Sequence, residues 1–137
     1  MKALNSWGLE SVLGLNFLAL ELGESFTVFN IYGSYLNRIP FWESLLNNPL
    51  SRGDSVILGG DFNFSLGQSE VWRPRAHVDI LTGFFTQKLV EKNLLDIEPI
   101  KLKPTWRNNR SGDGRVAKRL DRFLVVEHIM DRLYLLR

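Results

Sequence analysis

Gly59-Gly60-Asp61-Phe62-Asn63 follows directly on the apolar run Ser55-Val56-Ile57-Leu58. A short apolar strand that ends in two glycines and then offers a carboxylate and a carboxamide places reactive groups at a sheet end. The glycines permit tight turning and close approach of a ligand. A carboxylate at Asp61 can take a proton from water or bind a divalent cation. In an extended segment Asn63 shares the side of Asp61, where its amide can orient the carboxylate or hold a phosphate oxygen. The plainer alternative is a turn in which both side chains bind backbone groups.

A second carboxylate, Asp121, lies in Arg119-Leu120-Asp121-Arg122-Phe123-Leu124-Val125. An acid buried in such a strand needs a partner. Arg119 and Arg122 offer a structural ion pair. A histidine oriented by the acid would be the hydrolytic alternative. His77 precedes a helix and His128 lies beyond Asp121 on the next element, and neither has an evident catalytic setting. Tyr32 closes a strand in Asn30-Ile31-Tyr32-Gly33. There it either projects its hydroxyl toward a phosphate or serves as a rim aromatic.

Basic residues gather late in the chain. Lys101, Lys103, Arg107, Arg110, Arg115, Lys118, Arg119 and Arg122 occur against only Asp113 and Asp121, and Arg73 joins from a separate loop. This is either a phosphate-contacting surface or a solvated basic loop. Trp106 with Arg107, Arg110, Arg115 and Lys118 is the set that would meet nucleic acid, the arginines on phosphates.

The elements that must position these residues can be read from periodicity and breakers. Leu15 to Leu22 and Ser25 to Tyr32 form a hairpin about Gly23-Glu24. Pro40 stands where a helix begins, with Phe41, Trp42, Leu45 and Leu46 at helical spacing until Pro49. Arg52-Gly53-Asp54 is a turn and Ser55 to Leu58 a strand. Ser65 to His77 is irregular. Asp79 to Asn93 is a helix burying Ile80, Phe84, Leu89 and Val90, weakened by Gly83. Leu94 to Ile97 is extended, Pro104-Thr105-Trp106 starts a strand, and Asn108 to Gly114 turns. Arg119 to Val126 is the last strand and Glu127 to Leu136 a helix. The pattern is α/β layering around a mixed sheet, with hairpins and inserted helices rather than strict alternation.

The 137 residues suit one domain with a real core, and 45% hydrophobic with 23% charged content excludes a disordered chain. No apolar run approaches the ~20 residues of a membrane helix. The start lacks a clean apolar stretch with a cleavage site, so no signal peptide is expected. With no cysteine, neither disulfides nor thiolate metal sites form, which suits a reducing compartment. The net charge of +2 is modest.

Asn30-Ile31-Tyr32, Leu58 to Asn63, Pro104-Thr105-Trp106 and Lys118 to Leu124 occur in this order at suitable separations. The series resembles the endonuclease/exonuclease/phosphatase superfamily, which includes apurinic-site endonucleases, pancreatic-type deoxyribonucleases and inositol polyphosphate phosphatases. Gly67 to Trp72 and Lys103 to Arg110 make it more closely similar to the endonuclease domain of non-LTR (LINE-type) retrotransposons of plant genomes. The resemblance runs from Leu15 to Val126.

It implies a partial four-layered α/β sandwich of two mixed sheets with outer helices, in a single truncated domain over residues 1–137. It also implies Mg2+-assisted phosphodiester hydrolysis on DNA, with no membrane partner and a setting compatible with the nucleus. Asp61 would deprotonate or orient water, Asn63 would support it and touch the phosphate, and Tyr32 would bind the phosphate. Asp121 would orient a catalytic histidine, and the loop after Trp106 would insert into DNA. The family's Asn and metal-binding Glu strands have no counterpart pattern in Met1 to Glu24, where Asn5, Glu10 and Asn16 stand, and the chain before Tyr32 looks too short for them. The family's Ser-Asp-His motif does not follow Asp121. The expectation is an endonuclease-like domain that is inactive as this piece, with sheet faces left uncovered and stability marginal. The alternatives are a working hydrolase, with Asp61 and Glu70 on a metal and His77 or His128 recruited, a non-catalytic nucleic-acid-binding remnant, and a phosphatase of the same superfamily.

Overall fold

The computed structural model describes residues 2–9, 11–20, 23–51, 53–75 and 77–134. In chain order the elements are β1 (Lys2–Leu9), β2 (Val12–Ala19), β3 (Glu24–Tyr32), α1 (Arg38–Asn47), β4 (Val56–Asp61), β5 (Val71–Trp72), α2 (Thr82–Glu91), β6 (Leu94–Asp96), β7 (Trp106–Arg107), β8 (Ala117–Lys118), β9 (Asp121–Val126) and α3 (Glu127–Tyr134). Glu10, Arg52 and the expected helix end at Leu136 lie outside the described residues.

The large sheet runs β1-β2-β3-β4-β9-β6. β3 and β4 are parallel and every other neighbouring pair is antiparallel, so the sheet is mixed. A second sheet, β5-β8-β7, is small and antiparallel. Two strands thus precede β3, where the sequence suggested too little room. Ser11 carries the β1–β2 turn at φ 65, so the glycine or proline that marks a turn in sequence is absent.

Side-chain alternation gives the large sheet two different faces. On the back face Val12, Phe29, Ile31, Val56, Leu58 and Leu124 meet α1 and α2 in the main core. Its centre is aromatic. Trp42 lies 5.0 Å from Phe62 and 5.3 Å from Phe64, and Phe64 stacks on Phe85 at 3.8 Å. Offset and edge contacts of this kind add to the stabilisation from area burial. On the front face, among the described residues, α3 covers the lower part, where Ile129 packs with Phe26 and Val125. Leu13, Tyr32 and Phe123 above it stay exposed.

Helix α2 differs from the periodic reading. Phe85 is its buried residue, whereas Ile80 and Val90 face solvent. Asp79 explains the shift. Its carboxylate accepts both the Leu81 N–H and the Arg38 guanidinium, so the helix starts only at Thr82. The stretch 65–77 also contains a strand, β5, because Val71 and Trp72 pair with β8. Two-residue strands leave no periodic signal.

Candidate active site

The double glycine brings β4 close to its neighbours just before Asp61. Gly60 sits at φ 132 against the Ile31 backbone, a position closed to a side chain. At Gly59 a Cβ would meet the Phe123 ring at 2.6 Å. The close neighbours of these glycines are therefore protein groups rather than a ligand.

Phe62 and Phe64 anchor the segment that follows. Both are almost fully buried in the aromatic cluster. Asn63 between them is left-handed at φ 54 rather than extended, so it does not simply repeat the side of Asp61. Its N–H donates to Asp61 Oδ1 at 2.9 Å, and its Nδ2 donates to the Gly33 carbonyl at 2.6 Å. The Arg38 guanidinium donates to the Asn63 carbonyl at 3.3 Å. Asp61 and Asn63 thus form the backbone-binding turn of the plainer reading, and that same turn presents the Asp61 carboxylate.

The register then gathers the candidates. Tyr32 of β3 stands opposite Asp61 of β4, and Asp61 opposite Asp121 of β9. Residues directly opposite share a face, so Tyr32, Asp61 and Asp121 form one lateral row at the end of three adjacent strands. Tyr32 and Asp61 also share a hollow of about 540 Å³ bordered by the β1–β2 turn.

Asp121 is exposed, and its expected pairing with Arg119 or Arg122 does not occur. Strand alternation turns Arg122 to the back face, and Arg119 lies before the strand. Thr105 holds Asp121 instead: its Oγ1 accepts the N–H groups of both Leu120 and Asp121 at 2.9 Å. No histidine bonds to Asp121 among the described residues. His77 lines a separate hollow with Arg38, Asp79 and Lys118, and His128 lies on α3.

Arg119 and Arg122 close a buried ring with Glu70 and Asp96. Arg119 Nη1 bonds Glu70 Oε1 and Asp96 Oδ2 at 2.7 Å each. Arg122 Nη2 bonds Glu70 Oε2 at 2.7 Å, and its Nη1 bonds Asp96 Oδ2 at 2.9 Å. Burial alone would raise the Glu70 pKa. Hydrogen bonds and charge from Arg122, the Leu66 N–H and Arg119 outweigh it and hold that pKa below the ordinary value. For Asp79, burial is likewise outweighed, here chiefly by Arg38. The ligand atoms of Glu70, Asp96 and Glu98 lie within 4.8 Å of one another, a spacing a cation could bridge. Yet all four oxygens of Glu70 and Asp96 already accept guanidinium hydrogens. Glu70 is therefore a structural partner, and the carboxylates grouped with it are Asp96 and Glu98 rather than the Asp61 of the working-hydrolase alternative. Asp61 and Asp121, opposite each other in the register, are oxygen donors with no ion pair among the described residues, a chemistry that suits a hard cation.

The nucleic-acid candidates divide. Trp106, Lys118 and Val71 form one cross-strand row of the small sheet, while Arg107, Ala117 and Trp72 form the next. Adjacent rows point to opposite faces. Lys118 lies on the side of Asn63 and His77, whereas Arg107, Arg110 and Arg115 line a groove with Arg73 and Trp72. Thr105, Arg38 and Asp79 were not legible as site residues. The Pro-Thr-Trp motif was an advance signal for Thr105, and Arg38 and Asp79 had none.

No family model matches the sequence, and no curated protein matches it. Solved structures do. The endonuclease domain of TRAS1, a telomere-specific non-LTR retrotransposon, is similar at a TM-score of 0.62 and 20% identity, over 88% of this chain and 49% of that one. The chain has the endonuclease/exonuclease/phosphatase fold. The 3' phosphatase NExo from Neisseria, solved bound to product DNA hairpin, is similar at a TM-score of 0.58 and 18% identity, over 85% of this chain and 52% of that one. The chain thus spans about half the length of each. At such identities the likeness establishes the fold, and the row of Tyr32, Asp61 and Asp121 occupies one end of its large sheet.

Proposed function

We propose that this chain carries part of the phosphodiester-cleaving centre of a retroelement-type DNA endonuclease, and that by itself it binds DNA with little turnover. The observation that supports this is the lateral row of Tyr32, Asp61 and Asp121, with Asp61 oriented by the Asn63 turn. In this reading the Tyr32 hydroxyl donates to a phosphate oxygen. Asp61 accepts the proton of the attacking water, and the Asn63 N–H on its Oδ1 keeps the other oxygen directed to that water.

Asp61 and Asp121 would hold Mg2+, which when bound supplies the positive charge that offsets developing negative charge on the phosphate. Two adjacent carboxylates without a cation repel each other and the substrate alike. Among the described residues no glutamate and no histidine joins the row, which is why slow turnover is expected: groups that act as a unit lose most of their effect when one is missing.

Nicking of supercoiled plasmid with and without Mg2+ tests the reading. Trace nicking is expected with Mg2+ and should vanish with chelator and in Asp61→Ala or Asp121→Ala. Nicking that persists in Asp61→Ala, or an absence of DNA binding, would overturn it. Phosphate release from a 3'-phosphorylated oligonucleotide, run alongside, distinguishes a phosphatase.

A further inference from the structure

The small sheet has a groove of about 1030 Å³ on the face away from Lys118. Arg73, Arg107, Arg110 and Arg115 line it, together with Trp72 and a single carboxylate, Asp113. These side chains come from two segments far apart in sequence: Trp72 ends β5 and Arg73 follows it, and the others belong to the β7–β8 hairpin. None of the four arginines forms an ion pair or side-chain hydrogen bond among the described residues, and Asp113 forms none either. This contrasts with Arg38, Arg119 and Arg122, each paired with carboxylates. Four like charges held together without counter-charge repel one another and destabilise the fold locally. A polyanion threading the groove would relieve that repulsion.

We infer that this groove is a second nucleic-acid site, which takes an unpaired stretch of strand, and that it is separate from the row at Asp61. The inference rests on the nucleic-acid reading above and extends it. Charge alone would suit any phosphate backbone. The half-buried Trp72 in the wall narrows the class. Aromatic side chains beside guanidiniums serve strands whose bases are free to stack, and stacking needs no particular base. A paired duplex keeps its bases inside and offers Trp72 only a backbone. The same chemistry is presented by single-stranded DNA and single-stranded RNA.

Fluorescence-anisotropy titrations of the whole chain with a single-stranded DNA, the same sequence as RNA, and the matching duplex test this across a salt series. Single strands should bind more tightly than the duplex. The double variant R73A/R115A should flatten the plot of log affinity against log salt by about 1.4, at ~0.7 per lost phosphate contact on a single strand. Trp72→Ala should weaken binding roughly 5- to 100-fold. Trp72→Phe, which keeps a ring and the local packing, should retain most affinity. Lys92→Ala, at the end of α2 and outside the groove, should lose less than about threefold. DNA against RNA preference then identifies the strand. Tighter duplex binding, or unchanged affinity in both R73A/R115A and Trp72→Ala, would overturn the inference. Asp61→Ala separates the two claims. Strand binding that survives in it while no Mg2+-dependent nicking is seen in the unaltered chain would leave the groove standing and remove the nuclease reading.

Discussion

At Thr105 one hydroxyl oxygen accepts two backbone N–H groups, those of Leu120 and Asp121. The Thr105 N–H in turn donates to the Lys118 carbonyl at 2.9 Å. One residue thus ties the β7–β8 hairpin to the first residue of β9. Thr105→Val keeps the shape and removes the acceptor. It should destabilise the chain by about 1–3 kcal/mol, the cost of stranding polar groups, and Thr105→Ser should recover most of that. Urea unfolding of the two variants checks the difference. Asn63 shows the same economy, since its left-handed backbone is what turns its N–H toward Asp61. Sequence spacing alone suggested an extended Asn63, although asparagine is among the non-glycine residues most enriched at positive φ, as the turn alternative required.

The elements are joined by two devices. The first is the aromatic cluster, in which α1 and α2 hold Phe62 and Phe64 and so fix the turn between them. Phe62→Ala removes a ring from the centre of this packing and should cost about 3–5 kcal/mol, read as a lower urea midpoint. The second is the Glu70–Arg119–Asp96–Arg122 ring, which links the turn before β5 to β6 and to the start of β9. The Arg122 guanidinium also lies 4.9 Å from the Phe64 ring centre and donates to the Phe64 carbonyl, which couples the ring to the Asn63 turn. A carboxyl whose folded pKa is lowered adds stability above its unfolded pKa and loses it as pH falls through the folded value. Glu70 and Asp79 both have lowered values, from ordinary ones of 4.5 and 3.8. Stability should therefore hold near neutral pH and fall progressively below pH 4.5. Glu70→Gln leaves a guanidinium short of its charge partner and should lose about 3–5 kcal/mol at neutral pH. Its further loss on acidification should be smaller than that of the unaltered chain. Unfolding titrations at several pH values measure both.

For the whole molecule the front of the large sheet sets the exposed apolar surface. Leu13, Asn30, Gly59 and Phe123 form the row below Tyr32, Asp61 and Asp121. The large side chains in these two rows, Leu13, Tyr32 and Phe123, are exposed. Apolar surface grouped on one sheet face tends to bind other apolar matter. The folded chain should bind a hydrophobic dye such as anilinonaphthalene sulfonate without denaturant. Phe123→Ser should lower that signal while shifting unfolding stability by no more than about 1 kcal/mol, as surface substitutions do. Dye binding that appears only as the chain unfolds would show the face to be covered. The back face, by contrast, is closed by α1 and α2, which is why stability and reactive groups lie on opposite sides of one sheet.

Much of this was readable in the residues themselves. The apolar run before Gly59-Gly60, the hairpin ending at Tyr32 and the strand containing Asp121 each carry a local signal, because strand and turn preferences act over a few residues. The identity of the groups that could do chemistry came with them. Direction did not. Whether Asp121 or Arg122 faces the cleft depends on the parity of pairing between β4 and β9, and a shift of one residue would exchange them. The same parity separates Lys118 and Trp106 from Arg107, which sequence alone gathers into one basic set. The partners of Glu70 and of Arg38 lie 49 and 41 positions away. Such contacts are fixed only when layers pack, since buried charges must find each other across the fold once water is excluded.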